Sequence, residues 1–154
     1  MNIKLSSLDK KILSQLQRDA SLSAADLAKQ VNSSPATCWR HIRRLEAEGL
    51  LGPQVRLVDP GAVGRTMDAF CQVKMKSQDA KARQEFQRSM SLEPTIVEVY
   101  STSGEWDYLM HLLVKDMADL ESILMRRVLE HKNVAATATI FALRRVKHTV
   151  EVPV

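Results

Sequence analysis

The sequence predicts an α+β chain in two parts, a helical domain ahead of an antiparallel sheet covered by helices. Three observations carry this. Four of the five glycines, Gly49, Gly52, Gly61 and Gly64, and two of the five prolines, Pro53 and Pro60, crowd into one short stretch, which marks a boundary. Before it, apolar residues recur at helical spacing three times. After it, strand alternation and helical spacing take turns. The expected division is a first domain over residues 1–58, a linker over 59–66 and a second domain over 67–154.

The first helix should start at Ser6, with Asp9 at its third position in a capping-box arrangement and Leu8, Ile12, Leu13 and Leu16 on one face. Ser23 and Asp26 repeat the cap, and Leu22 and Leu27 occupy the positions of a hydrophobic staple for a helix running to about Val31. Asn32 and Ser33 make a turn, Asn being tolerant of the left-handed conformation. Ser34 then caps a third helix that has Pro35 at its first position and is stopped by Gly49. Three short helices with a tight turn between the last two describe a helix-turn-helix. Leu50 and Leu51, followed by Val55 to Val58, are expected to pair as a short two-stranded wing.

Charge is concentrated in this part. Residues 1–58 hold nine Lys and Arg against five Asp and Glu, while the other 96 residues balance at 13 against 13. The densest point is Arg40, Arg43 and Arg44. On the third helix Cys38, Ile42 and Leu45 share a face and should turn inward, so Ala36, Arg40, Arg43 and Arg44 should turn outward, with Thr37 and His41 on the flank. A helix that enters a major groove needs small residues in its first turns and cations on its flanks. Ser34, Pro35, Ala36, Thr37, Arg40, His41, Arg43 and Arg44 are therefore the candidate DNA-binding residues. About six phosphate contacts per dimer would give a log-log salt slope near −5.

In the second part, Ala69, Cys71, Val73 and Met75 alternate with polar neighbours as a half-buried strand does. Ala82, Phe86 and Met90 follow at helical spacing. Ile96 to Thr102 and Tyr108 to Val114 read as a hairpin around Ser103 to Asp107. Asp116 caps a helix bearing Leu120, Leu124 and Val128, and Thr137 to Leu143 is a last strand. The order βαββαβ predicts a ferredoxin-like sandwich with one sheet face left open. Phe70, Met110 and the last strand are expected there, for a second subunit to cover.

Other classes are disfavoured. No apolar run approaches the roughly 18–20 residues of a membrane helix, and no signal peptide pattern opens the chain, so a cytoplasmic protein without membrane contact is expected. The two cysteines, Cys38 and Cys71, should be reduced, with Cys38 in the core. His111, His131 and His148 lack partners at metal spacing, and no catalytic constellation or phosphate loop is evident. Neither an enzyme nor a metal or cofactor site is expected.

Several motifs resemble those of the Lrp/AsnC, or feast/famine, regulators. They are L-x-x-L-D-x-x-I-L at Leu5 to Leu13, S-P-x-x-C at Ser34 to Cys38, R-L-E-x-x-G at Arg44 to Gly49 and D-P-x-x-x-G at Asp59 to Gly64. S-G-x-x-D-Y-L at Ser103 to Leu109, T-x-T at Thr137 to Thr139 and V-K-x-T at Val146 to Thr149 follow in order. The resemblance implies a winged helix-turn-helix that binds double-stranded DNA and a C-terminal domain that dimerises and assembles to tetramers or octamers. It also implies a small-molecule effector, usually an amino acid. By position, the effector site would take Ser103, Gly104, Glu105, Trp106 and Asp107 from one subunit and Thr137 and Thr139 from a neighbour.

The chain departs from that pattern where Asn32 and Ser33 replace a Gly and an apolar residue, where His41 replaces a common arginine, and where Ser6 replaces a frequent aspartate. The reading is a ligand-responsive transcriptional regulator; the alternative is an architectural DNA-wrapping protein without an effector. A Gly-containing turn exposes amides that can hold a carboxylate, and Asp107 can accept from an ammonium group.

Overall fold

The computed structural model describes residues 4–154. It comprises a first compact unit that runs to Arg56 and takes in Lys147–Val154, and a second from Leu57 to Val146.

The first unit holds α1 (Ser7–Arg18), α2 (Ala24–Val31) and α3 (Pro35–Ala47). Ser6 accepts the Asp9 amide at 3.1 Å and donates its own amide to the Asp9 carboxylate at 2.8 Å, the full capping box. Ser23 and Ser34 cap α2 and α3 through the amides of Asp26 and Thr37. Asn32 adopts the left-handed conformation with φ 54°, so Ser33 can donate back to the Ala28 carbonyl at 2.9 Å and the chain reverses into α3. The three helices enclose Ile12, Leu13, Leu27, Ala28, Val31, Cys38 and Leu45.

The expected wing hairpin is not present. Leu50 and Leu51 both donate to the Leu45 carbonyl, which ends α3, and Leu51 packs on the helical core. They are thus used up by the helix terminus, and Pro53 behind them has no amide to give a ladder. The segment from Gly52 to Asp59 forms no strand, and Val55, Leu57 and Val58 stay exposed. The C-terminal tail also differs from its expected place in the second domain. Gln17 and Val152 exchange two amide hydrogen bonds, of 3.1 and 2.6 Å, and Arg18 meets Glu151 at 3.3 Å, so the tail lies along α1.

The second unit has the order β1 (Met67–Met75), α4 (Ala80–Ser91), β2 (Ile96–Ser101), β3 (Tyr108–Val114), α5 (Met117–Ile123) and β4 (Val134–Phe141). The antiparallel sheet runs β2-β3-β1-β4. One face packs on the helices through Ala69, Cys71, Val73, Phe86, Met90, Met110, Leu112, Val114, Leu120 and Val128. Met110 therefore belongs to the core and not to the open face: it lies opposite Cys71, and paired residues point the same way. Phe70, opposite His111, lies on the open face and stacks on that imidazole at 4.7 Å. A π-helical turn, Leu124–Leu129, continues α5 and delivers Val128 to the core. The last strand begins at Val134, three residues earlier than the sequence suggests, because buried Val134 anchors it while Ala135 and Ala136 carry no strand signal.

Phe86 is fully buried against Tyr108, with ring centres 4.8 Å apart, and against the edge of His131. Phe86→Ala should cost about 3–5 kcal/mol in urea denaturation, and Phe86→Leu, which retains most of the volume, under about 1.5 kcal/mol.

Candidate nucleic-acid interface and effector turn

The sequence-predicted face of α3 divides into parts with different surroundings. Ser34, Pro35 and Ala36 are exposed at its start, and half-buried Thr37 accepts a 2.8 Å hydrogen bond from the Ser34 hydroxyl. Arg40 is exposed and makes no ion pair among the described residues. Arg43 is exposed, meets Glu46 at 3.4 Å, and holds its guanidinium 5.2 Å from the ring centre of Trp39. Trp39 itself is 57% exposed. Sequence reasoning missed Trp39, although its position 100° around the helix from Cys38 already places it off the buried stripe.

Arg44 does not face outward as expected, and His41 on the flank turns inward with it. Both turn to Asp9, whose side chain is 1% exposed. Arg44 Nη2 lies 2.5 Å and His41 Nδ1 2.7 Å from one carboxylate oxygen, while the Ser6 hydroxyl donates to the other at 2.6 Å. Arg44 also meets Glu48 at 3.1 Å. Burial opposes charge on Asp9, but donation from His41, Ser6 and Arg44 outweighs it and holds the carboxyl well below the usual carboxylate range. A buried carboxylate demands donors, and α3 supplies them through Arg44 and His41. The capping box pointed to Asp9 only as a helix cap; its partners 32 and 35 residues away had no local signal.

In the second unit the hairpin turn is built around Gly104, whose φ of 114° suits glycine and strains other residues. The amides of Gly104 and Glu105 have no acceptor among the described residues. Ser103 and Glu105 are exposed and Trp106 is half-buried. The Trp106 carbonyl accepts from the Thr102 hydroxyl at 2.6 Å and the Glu105 carbonyl from Lys74.

Asp107 is not the open acceptor the sequence suggested. One carboxylate oxygen takes the Met75 amide at 2.6 Å and the other takes Gln78 at 2.5 Å. The Met75 amide, helped by Gln78 and Lys74 against some burial, keeps its carboxyl below the usual range. Asp107 thus ties the turn to the end of β1.

Thr137 and Thr139 lie on β4 opposite Val73 and Cys71. Thr139 lines a hollow of about 430 Å³ with Met117, Leu124, Met125 and Phe141. The turn meets β1 on the edge away from β4, since Asp107 donates its amide to Val73, the residue opposite Thr137.

A helix-turn-helix unit with an exposed cationic face, followed by a βαββαβ sandwich, defines a DNA-binding regulator with a ligand-binding domain. Residues 5–51 match the winged helix-turn-helix DNA-binding family, and residues 68–152 match the Lrp/AsnC ligand binding domain. The chain belongs to the Lrp/AsnC family of transcriptional regulators and is not an enzyme. It is 34% identical to a helix-turn-helix transcriptional regulator of Haemophilus influenzae, over 93% of this chain and 85% of that one. It is 31% identical to the DNA-binding transcriptional activator DecR of Escherichia coli K12, over 97% and 99%. A transcriptional regulator of Neisseria meningitidis, solved in complex with L-Met, superposes with a TM-score of 0.93 at 29% identity, covering 97% of both chains. No helix among the described residues is long and apolar enough to cross a membrane.

Asp9→Asn should lower stability by about 2–3 kcal/mol at neutral pH, because it leaves Arg44 and His41 without their shared anion. The depressed carboxyl stabilises the fold fully above its unfolded value of 3.8. That contribution is lost as pH falls towards the folded value, so the gap between wild type and variant should narrow below about pH 4 in thermal unfolding.

Proposed function

We propose that the protein acts as a dimer or higher oligomer that inserts α3 of each subunit into the major groove of double-stranded DNA, and that an amino acid bound at the Ser103–Asp107 turn alters assembly or DNA affinity. The observation that carries the first part is the solvent-facing Arg40 and Arg43 on a helix whose other side, Cys38 and Leu45, is fully buried. Two-fold symmetry calls for a roughly palindromic operator with half-sites one helical turn, or a multiple, apart. Such a regulator works in the cytoplasm, where its DNA is.

For the effector, the exposed amides at Gly104 and Glu105 suit a carboxylate. The L-Met complex of the Neisseria meningitidis regulator supports the amino-acid class. With Asp107 already engaged, the effector's ammonium group is met by groups outside this turn, and Thr137 and Thr139 of a neighbouring subunit complete the site. The open sheet face with Phe70 and the exposed Ile140 is the surface for a second copy. No resident cofactor is needed for this reading.

Arg44 is neutralised by Asp9, so a dimer presents four guanidinium groups outside that clamp on its two α3 helices, two of them, at Arg43, beside Glu46. The log-log salt slope of DNA binding should accordingly be no steeper than about −3.6 instead of near −5, and Arg40→Ala should flatten it by nearly another two per dimer. Fluorescence anisotropy across a salt series measures both.

A titration of all twenty amino acids, followed by Trp106 emission in a Trp39→Phe background and by sedimentation, should single out one or a few effectors. Gly104→Val should abolish the response while leaving DNA affinity in the absence of effector unchanged. A protein indifferent to all twenty would favour the architectural alternative.

A further inference from the structure

We propose that Trp39 and Arg43 form a single base-reading unit, in which Arg43 recognises a guanine edge and Trp39 packs against the methyl group of a neighbouring thymine. The proposal rests on α3 being the element that enters the groove, and it assigns sequence discrimination to a pair that the charge pattern alone treats as one phosphate clamp and one bystander.

The three arginines of α3 occupy three different electrostatic settings. Arg44 is locked to Asp9 and Glu48, and Arg40 has no carboxylate partner among the described residues. Arg43 is intermediate: the Glu46 carboxylate lies 3.4 Å away, and the Trp39 ring supports the guanidinium plane at 5.2 Å. A nearby carboxylate weakens attraction to phosphate, so Arg43 is a poorer backbone clamp than Arg40. The Trp39 ring restricts the long side chain, and with Nη1 turned to Glu46 the remaining guanidinium N–H groups suit donation to O6 and N7 of guanine.

Trp39 adds the second half. A tryptophan 57% exposed on a helix whose other flank is closed by Asp9 leaves a large apolar surface in water. In the major groove the apolar group available to such a ring is the thymine C5-methyl, which marks thymine uniquely. Because Trp39 and Arg43 are one turn apart on the same flank, the two bases they meet should be neighbours. Sequence preference would then arise on this flank, and charge-driven affinity at Arg40.

The test uses the full chain and duplexes of about 30 base pairs with a randomised centre. Wild-type protein selects a preferred duplex, and a shuffled duplex of equal composition serves as the non-specific probe. Trp39→Ala should bind the selected duplex roughly tenfold or more weakly and the shuffled duplex unchanged, and Arg43→Gln should lose the preference for guanine at one position per half-site. Replacing the adjacent thymine with deoxyuridine removes only the methyl group. That replacement should weaken wild type and leave Trp39→Ala unaffected, the signature of a direct pair in a double-mutant cycle.

Unchanged binding of Trp39→Ala to the selected duplex would overturn the proposal. So would an equal loss on both duplexes, or an equal deoxyuridine effect in both proteins. A Trp39→Ala protein with altered sedimentation in the absence of DNA would assign the ring to a subunit contact and reject base reading. If wild type selects no preferred duplex, the groove reading of α3 itself fails. If Arg40→Ala loses affinity while Trp39→Ala does not, the groove reading stands and this proposal falls.

Discussion

The buried carboxylate of Asp9 ties the first unit together. Taking a charge out of water is costly unless donors surround it, and here they come from its own cap at Ser6 and from Arg44 and His41 on α3. The angle at which α3 meets α1 is therefore held by directional hydrogen bonds as well as by the non-directional packing of Ile12, Cys38 and Leu45. The clamp on this flank therefore fixes how the side chains of α3 are turned relative to α1.

The clamp also redistributes charge on α3. One arginine serves the fold, one is free, and one is stacked on an indole beside a carboxylate. Counting arginines overstates the cationic surface by the one that Asp9 consumes. The same logic separates affinity from specificity, since a point charge in solvent attracts any duplex whereas an oriented guanidinium discriminates among base edges.

In the second unit an aspartate again spends its charge on structure. Asp107 accepts from the Met75 amide and from Gln78, so the glycine turn stays fastened to the end of β1. A carboxylate ligand needs the turn amides held in place beforehand, because ordering a loose turn on binding would consume the interaction energy. The threonines of β4 lie across β1 from the turn within the same subunit.

Local pattern was sufficient for the elements and their order. The caps at Ser6, Ser23 and Ser34, the left-handed turn at Asn32 and the alternation from Ala69 to Met75 are interactions between residues a few positions apart, and such signals survive in one dimension. The path after α3 is not legible locally, because an apolar pair such as Leu50 and Leu51 suits a strand as well as a helix end, and here their amides go to the Leu45 carbonyl. Met110 was placed on the wrong face because register, not composition, decides which way a strand residue points. Periodicity around α3 located Cys38 and Leu45 in the core and left three arginines on the outer half. Only tertiary structure decided which of them is free, since the partner that neutralises Arg44 arrives from another helix, and long flexible side chains go where a distant buried charge needs them.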